Sequence, residues 1–196
     1  MTGYRLVSAT GWNNAISAGV MVAKMINLGN LNLSTNVFTA GSAMPTITAL
    51  GTSTQLASFL IIEATTALNS APGTYTVTYT DQGGTSRTTG SVTPAASAVI
   101  YSAAVPLPVA NGPGVRAVTA AVRSGGTSPT GTITFWGVIP LGEFIAKGTN
   151  SPGVINNTTA GFKLPSLGGG DTVGVWYMGT ANATRIFGQL NFVGDS

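Results

Sequence analysis

The sequence predicts an all-β chain folded as a sandwich or barrel, and three observations carry that expectation. Short runs rich in Thr, Val, Tyr and Phe recur along the chain, and each run is bounded by Gly, Pro, Asn or Ser. One run, Thr74-Tyr-Thr-Val-Thr-Tyr-Thr80, alternates strictly between large and hydroxyl-bearing residues, so one face can pack on a core while the other meets water or a neighbouring subunit. No tandem repeat of about 20 to 50 residues is evident, which disfavours a solenoid. A length of 196 residues fits one generous domain or two cramped ones, one being the simpler expectation.

Residues 1–45 are the least regular and are read as an N-terminal assembly segment or arm, with residues 46–196 forming the β-sandwich domain. Residues 13–25 carry a short helix pattern capped by an Asn, weakened by Gly19 and the β-branched Val20 and Val22. Leu31 and Leu33 then alternate with polar residues, the pattern of an edge strand or an extended arm. Further strands are expected over residues 56–66, 98–105, 115–122, 131–139, 172–178 and 185–193.

Asp81-Gln-Gly-Gly84 supplies a hairpin turn, because its glycines can adopt positive φ, and residues 85–93 return as the partner strand carrying Arg87. Pro106 and Pro108 lack an N–H, so Val105-Pro-Leu-Pro108 is expected to leave the sheet or run along its edge. Gly112-Pro-Gly114 turns the chain, residues 125–131 and 148–159 read as loops, and Gly168-Gly-Gly170 reads as a flexible tip.

Composition narrows the chemistry. Cys and His are absent, which removes disulfides, Cys/His metal sites, thiol nucleophiles and any imidazole base. Hydrophobic residues make up 43% and charged residues 7%, the reverse of a disordered composition. The net charge of +3 arises from 8 Lys+Arg and 5 Asp+Glu. Arg5, Lys24, Arg87, Arg116, Arg123, Lys147, Lys163 and Arg185 are scattered singly, so no cluster follows a phosphate backbone, and neither nucleic acid nor membrane is expected as a partner. The apolar runs are broken by Lys24 and Glu63 well short of the roughly 20 residues of a membrane span. Polar residues soon after Arg5 argue against a secretory signal, and the mature chain is expected to start at or near Met1.

Glu63, Asp81, Glu143, Asp171, Asp195 and three lysines are the side chains able to run acid/base chemistry. Turn bonding accounts better for Asp81 and Asp171, and surface or interface pairing for Glu63 and Glu143, so no catalytic residue is expected. Neither a P-loop nor a dinucleotide fingerprint is present, and no cofactor or metal is expected. Trp12, Trp136 and Trp176 could stack on sugars, but packing is the favoured reading of Trp136 and Trp176, which sit inside apolar strand patterns. The Thr-rich faces invite an ordered hydroxyl array; a neutral, soluble strand surface explains them more simply.

The succession Thr74-Tyr-Thr-Val-Thr-Tyr-Thr-Asp-Gln-Gly-Gly-Thr-Ser-Arg-Thr-Thr89, Val105-Pro-Leu-Pro108, Gly114-Val-Arg-Ala-Val118 and Gly131-Thr-Ile-Thr-Phe135 resembles the small head decoration, or cement, proteins of tailed phages. The resemblance runs from about Leu56 to Val193. It implies a jelly-roll-like β-sandwich and a non-enzymatic role: docking on the outer capsid surface and clamping adjacent major capsid subunits, as a homotrimer at three-fold positions. Arg5, Trp12, Leu31, Leu33, Arg87 and Arg116 are the candidate assembly contacts. The alternatives are a carbohydrate-binding or host-adhesion module of a virion, a neck or tail component and, more distantly, a glycoside-cleaving enzyme.

Overall fold

The computed structural model describes residues 4–13, 18–44, 59–94, 96–97, 105–107, 114–146, 153–156, 172–178 and 186–194. Among these residues there is no helix; the strands are β1 (Tyr4–Asn13), β2 (Ala18–Asn32), β3 (Val37–Ala40), β4 (Phe59–Ala64), β5 (Thr74–Asp81), β6 (Ser86–Thr88), β7 (Val105–Leu107), β8 (Val115–Ser124), β9 (Thr132–Ala146), β10 (Gly153–Asn156), β11 (Thr172–Met178) and β12 (Ile186–Gly194). The contacts divide the chain into two units, Met1–Met25 with Pro140–Ser196, and Ile26–Ile139.

In the first unit β1 lies between β10 and β12 and runs antiparallel to both. β11 pairs antiparallel with the first half of β2, from Thr172 opposite Met25 to Met178 opposite Gly19. The helix expected over residues 13–25 is therefore a strand over the described part. Val20 and Val22 favour the pleat, and each residue from Gly19 to Met25 finds a ladder partner that a lone short helix would lack. The loop expected over 148–159 likewise contains β10, held by pairing to residues 8–11 of β1.

The second unit is a β-sandwich. In one sheet β4 lies between β9 and β7, β2 neighbours β9, and β3 pairs with the second half of β2. The other sheet has the order β6-β5-β8. Leu28, Leu31, Leu60, Ile62, Ile133, Phe135 and Ile139 of the first meet Tyr75, Val77, Tyr79, Val115, Val118 and Ala121 of the second in one buried cluster. Burial of each such aliphatic or aromatic side chain contributes about 1.5–3 kcal/mol, which makes this cluster the main source of stability in the unit.

Leu31 and Leu33 were expected on an assembly arm; both are 0% exposed and belong to this core. The reason is pairing across the sheet: β2 continues against β3 with Leu31 opposite Phe38, and Leu33 N–H donates to Gly131 O (2.9 Å), so this segment is held on the core rather than extended from it. The boundary expected at residue 45 also differs from the observed division, because β2 and β3 are integral to the sheets and Met44 is buried beside them.

β5 shows the predicted alternation in full, every second residue from Tyr75 to Asp81 being buried. The hairpin forms where expected: Asp81 N–H donates to Thr85 O (2.9 Å), Gly84 N–H donates to Asp81 O (3.0 Å), and Gly84 takes φ +86. β7 is the terminal strand of its sheet's order, and Pro106 sits there opposite Ile61, the edge placement its missing N–H requires. The remaining expectations for residues 98–104, 112–113 and 168–170 lie outside the described residues.

After β6 a hydroxyl stands in for the ladder. Thr89 N–H donates to Val77 O (2.9 Å), while Val77 N–H donates to Thr89 Oγ1 (3.0 Å) instead of to a carbonyl. Gly90 and Ser91 bulge outward, and Val92 rejoins β5 through two backbone bonds to Tyr75.

Two substitutions probe this core. Leu31→Ala is expected to lower the unfolding free energy by about 2–5 kcal/mol in urea titration, whereas a residue on a dispensable arm would leave the midpoint unchanged. Thr89→Val conserves shape but strands a buried N–H, and its expected cost in the same measurement is about 1–3 kcal/mol.

Candidate functional site

The face of the β6-β5-β8 sheet turned away from the core is built by register. Along β5 it presents Thr74, Thr76, Thr78 and Thr80, all half-buried. Opposite them on β8 stand Ser124, Val122, Ala120 and Ala117, and on β6 Thr88 and Ser86 lie beside Thr78 and Thr80. Cross-strand partners share a face, so these positions form one continuous surface of hydroxyls and small apolar groups. Val122, on the edge strand β8, is 56% exposed, one of two large hydrophobic residues so exposed among the described residues.

None of these positions carries a charge, and the register explains it. Arg123 is opposite Tyr75 and Arg87 is opposite Tyr79, so both arginines fall in the core-facing rows at the two ends of the sheet. At one end, Arg87 Nε donates to Asp81 Oδ2 at 2.6 Å, and Thr85 N–H donates to Asp81 Oδ1 at 2.9 Å. These bonds hold the buried Asp81 carboxyl below the usual carboxylate range, the Arg87 hydrogen bond contributing most. At the other end, Arg123 Nη1 donates to Gly125 O, and Tyr75 OH donates to Pro72 O (3.3 Å). Burial pushes the Tyr75 hydroxyl up to about 12, opposed by the positive Arg123.

β8 has its buried residues at Val115, Val118 and Ala121, a spacing of three rather than two. Two register shifts produce it: Thr78 faces Ala120 but Tyr79 faces Val118, and Thr80 faces Ala117 but Asp81 faces Val115. Thr119 and Arg116 are the extra residues of these bulges, and both are exposed. The Thr119 hydroxyl donates to Thr78 O (3.2 Å), and Arg116 O accepts Met44 N–H (2.7 Å).

The free edge of β8 is occupied. Asn36, at φ +55, uses its side-chain amide as a peptide mimic, accepting from Arg123 N–H (3.0 Å) and donating to Arg123 O (3.4 Å). Gln82 ties the hairpin to the same strand, donating from its N–H to Gly114 O (3.1 Å) and from Nε2 to Val115 O (2.8 Å). A covered edge discourages strand addition along β8.

No protein-family model, curated protein or solved structure matches this chain. The arrangement therefore has to be read from its own chemistry. Of the expected assembly contacts, Arg116 is exposed at a bulge beside the hydroxyl face, and Arg87 is 30% exposed and engaged with Asp81. Leu31 and Leu33 are core residues and cannot make such contacts. Arg5 and Trp12 lie on β1 of the first unit, opposite Val193 and Phe187. Glu63 and Asp81 stand on strands of different sheets, and among the described residues no group of three or more Asp, Glu, His or Cys is placed to hold a metal. Asp171 and Asp195 lie outside the described residues.

The Asp81 clamp gives an acid limb to stability. Its native pKa is below the unfolded carboxylate value near 3.9, so the stability it contributes is complete above that value and is lost as pH falls through it toward the lower native one. Thermal unfolding midpoints are expected to be flat between about pH 5 and 8, where His would titrate if the chain had any, and to fall below about pH 4. Asp81→Asn is expected to lower the midpoint at neutral pH and to shallow the acid limb.

Proposed function

We propose that the protein is a non-enzymatic structural component of a virus particle, a capsid decoration or cement protein with a jelly-roll-like topology. It binds the outer surface of the shell and stabilises contacts between major capsid subunits, as a homotrimer. The observation that carries this reading is the uncharged outward row of the β6-β5-β8 sheet, hydroxyls and small apolar groups with Val122 exposed on its β8 strand.

Charged groups are disfavoured at the centre of a protein interface because their desolvation is rarely repaid in full, while hydroxyls and small apolar groups lose little water and pack closely. The Thr rows of β5 and the Ala and Val positions of β8 meet that requirement over both strands. Arg116 at the bulge supplies a rim charge, and Arg5 and Trp12 of the first unit are further contacts. Closed three-fold symmetry satisfies such surfaces without open-ended polymerisation, and the plugged edge of β8 works in the same direction. The resemblance of residues 56–193 to tailed-phage cement proteins directs the reading to a capsid.

Quantitative mass spectrometry of purified particles tests it: the chain is expected at a fixed ratio to the major capsid protein. Its absence, or a copy number of a few per particle, would move it to another role or to the neck and tail. Val122→Lys or Thr78→Lys is expected to leave the fold intact by circular dichroism and to abolish co-sedimentation with heads, and unchanged attachment would place the contact elsewhere. Light scattering of the isolated protein is expected to give the mass of a trimer.

A further inference from the structure

On the opposite sheet of the same unit, the surface turned away from the core carries a second arrangement, of different chemistry. Glu63 of β4 faces Thr134 of β9, and Ile61 faces Trp136 one step along. The Thr134 hydroxyl donates to Asn30 Oδ1 at 2.7 Å and lies 3.2 Å from Thr65 Oγ1. The Trp136 indole N–H donates to Glu63 Oε2 at 2.8 Å. A polar row thus runs Asn30, Thr134, Glu63 across three strands, with an indole beside it.

Two features set this row apart from ordinary surface packing. The centre of the row is covered, Thr134 being 2% and Ile61 3% exposed, while Asn30, Glu63, Thr65 and Trp136 are half-buried. The internal bonds also fix the indole and the amide in place, yet use only part of each group. Among the described residues, Asn30 Nδ2 and Glu63 Oε1 have no hydrogen-bond partner.

We infer that this row binds a neutral hexopyranoside, with Trp136 against the sugar ring, Glu63 Oε1 accepting from one hydroxyl and Asn30 Nδ2 donating to another. A pyranose has an apolar C–H face suited to an indole and hydroxyls that both donate and accept, which a carboxylate oxygen and an amide NH₂ satisfy together. An anionic ligand is repelled by Glu63, and a cation is disfavoured by the amide donors that share the site. This inference is independent of the capsid role, which rests on the other sheet.

The indole N–H signals of the three tryptophans give a direct readout in a ¹H–¹⁵N spectrum of the full chain, that of Trp136 being identified by its loss in Trp136→Phe. Titration with lactose, maltose and chitobiose is expected to shift the Trp136 signal saturably with at least one of them. Asn30→Asp keeps the acceptor for Thr134 and removes the amide donors; Glu63→Gln keeps an acceptor for the indole and removes the free carboxylate oxygen. Each is expected to weaken binding about tenfold, the effect of one lost hydrogen bond to a polar ligand. No shift with any of the three sugars, or wild-type affinity retained by both variants, overturns the inference. So does a Trp136 signal that moves on dilution of the protein and not with sugar, which would assign the row to a contact between copies. The wild-type titration decides alone if either variant loses its dispersed spectrum.

Discussion

The register between β5 and β8 is the constraint on which the second unit depends. With Val77 opposite Ala121 and Tyr79 opposite Val118, the large side chains of β5 enter the core and the threonines leave it. Strand side chains alternate with period two, so a slip of one residue would bury four threonines and expose two tyrosines and a valine. The same register places Arg87 and Arg123 in the inward rows, where Asp81 and the carbonyl of Gly125 receive them. The outer face is charge-free as a consequence of this register, in addition to the low charge of the chain. Core packing, hairpin ion pair and the uncharged outer face are set together.

A chain with so few charges still has to satisfy its backbone, and it does so with amides and hydroxyls. Asn36 completes the edge of β8, Thr89 replaces a carbonyl opposite Val77, and Gln82 bonds Gly114 and Val115. Asn27 and Asn32 accept from backbone N–H groups two or three residues on, Gly29 for the first and Ser34 and Thr35 for the second. These are neutral groups at short range, so they are little affected by salt and titrate nowhere near neutral pH. The ion pair of Arg87 with Asp81 holds a turn, where Asp81 also accepts from Thr85 N–H.

Much of the all-β character was legible because the signal was local. The alternation of 74–80, the turn glycine at 84 and the edge placement of Pro106 each follow from the chemistry of one residue or one short run. Residues 18–25 were harder, since Gly and β-branched residues weaken a helix pattern without showing the distant β11 that makes a strand of it. Leu31 and Leu33 alternate with polar residues as an arm would, and what draws them into the core, Phe38 across the ladder and a carbonyl 98 residues on at Gly131, leaves no local mark. In the candidate site, the threonine rows were visible, but the spacing of three in β8 hides its bulges and with them the exposure of Arg116 and Thr119. The row at Thr134 joins residues 104 and 69 positions apart in sequence, a separation at which no local pattern exists.

The two outward surfaces of this sandwich differ in kind because their sheets solve different problems. The β6-β5-β8 sheet is narrow, Arg87 and Arg123 fall in the inward rows at its ends and Arg116 stands at a bulge, which leaves the outward rows uncharged. On the β2-β9-β4 side the outward rows already hold buried apolar groups, Ile61 at 3% and Val138 at 0% exposed. A carboxylate among them is tolerated only with a donor at hand, and the Trp136 N–H supplies it. That pairing orients the indole and leaves one carboxylate oxygen unsatisfied, so the bond that stabilises Glu63 also leaves an acceptor beside an aromatic face. A flat neutral face selects partners by shape, whereas a fixed donor, acceptor and ring select by hydrogen-bond geometry. The core lies between the two outward surfaces, so the chemistry of each is set by its own sheet.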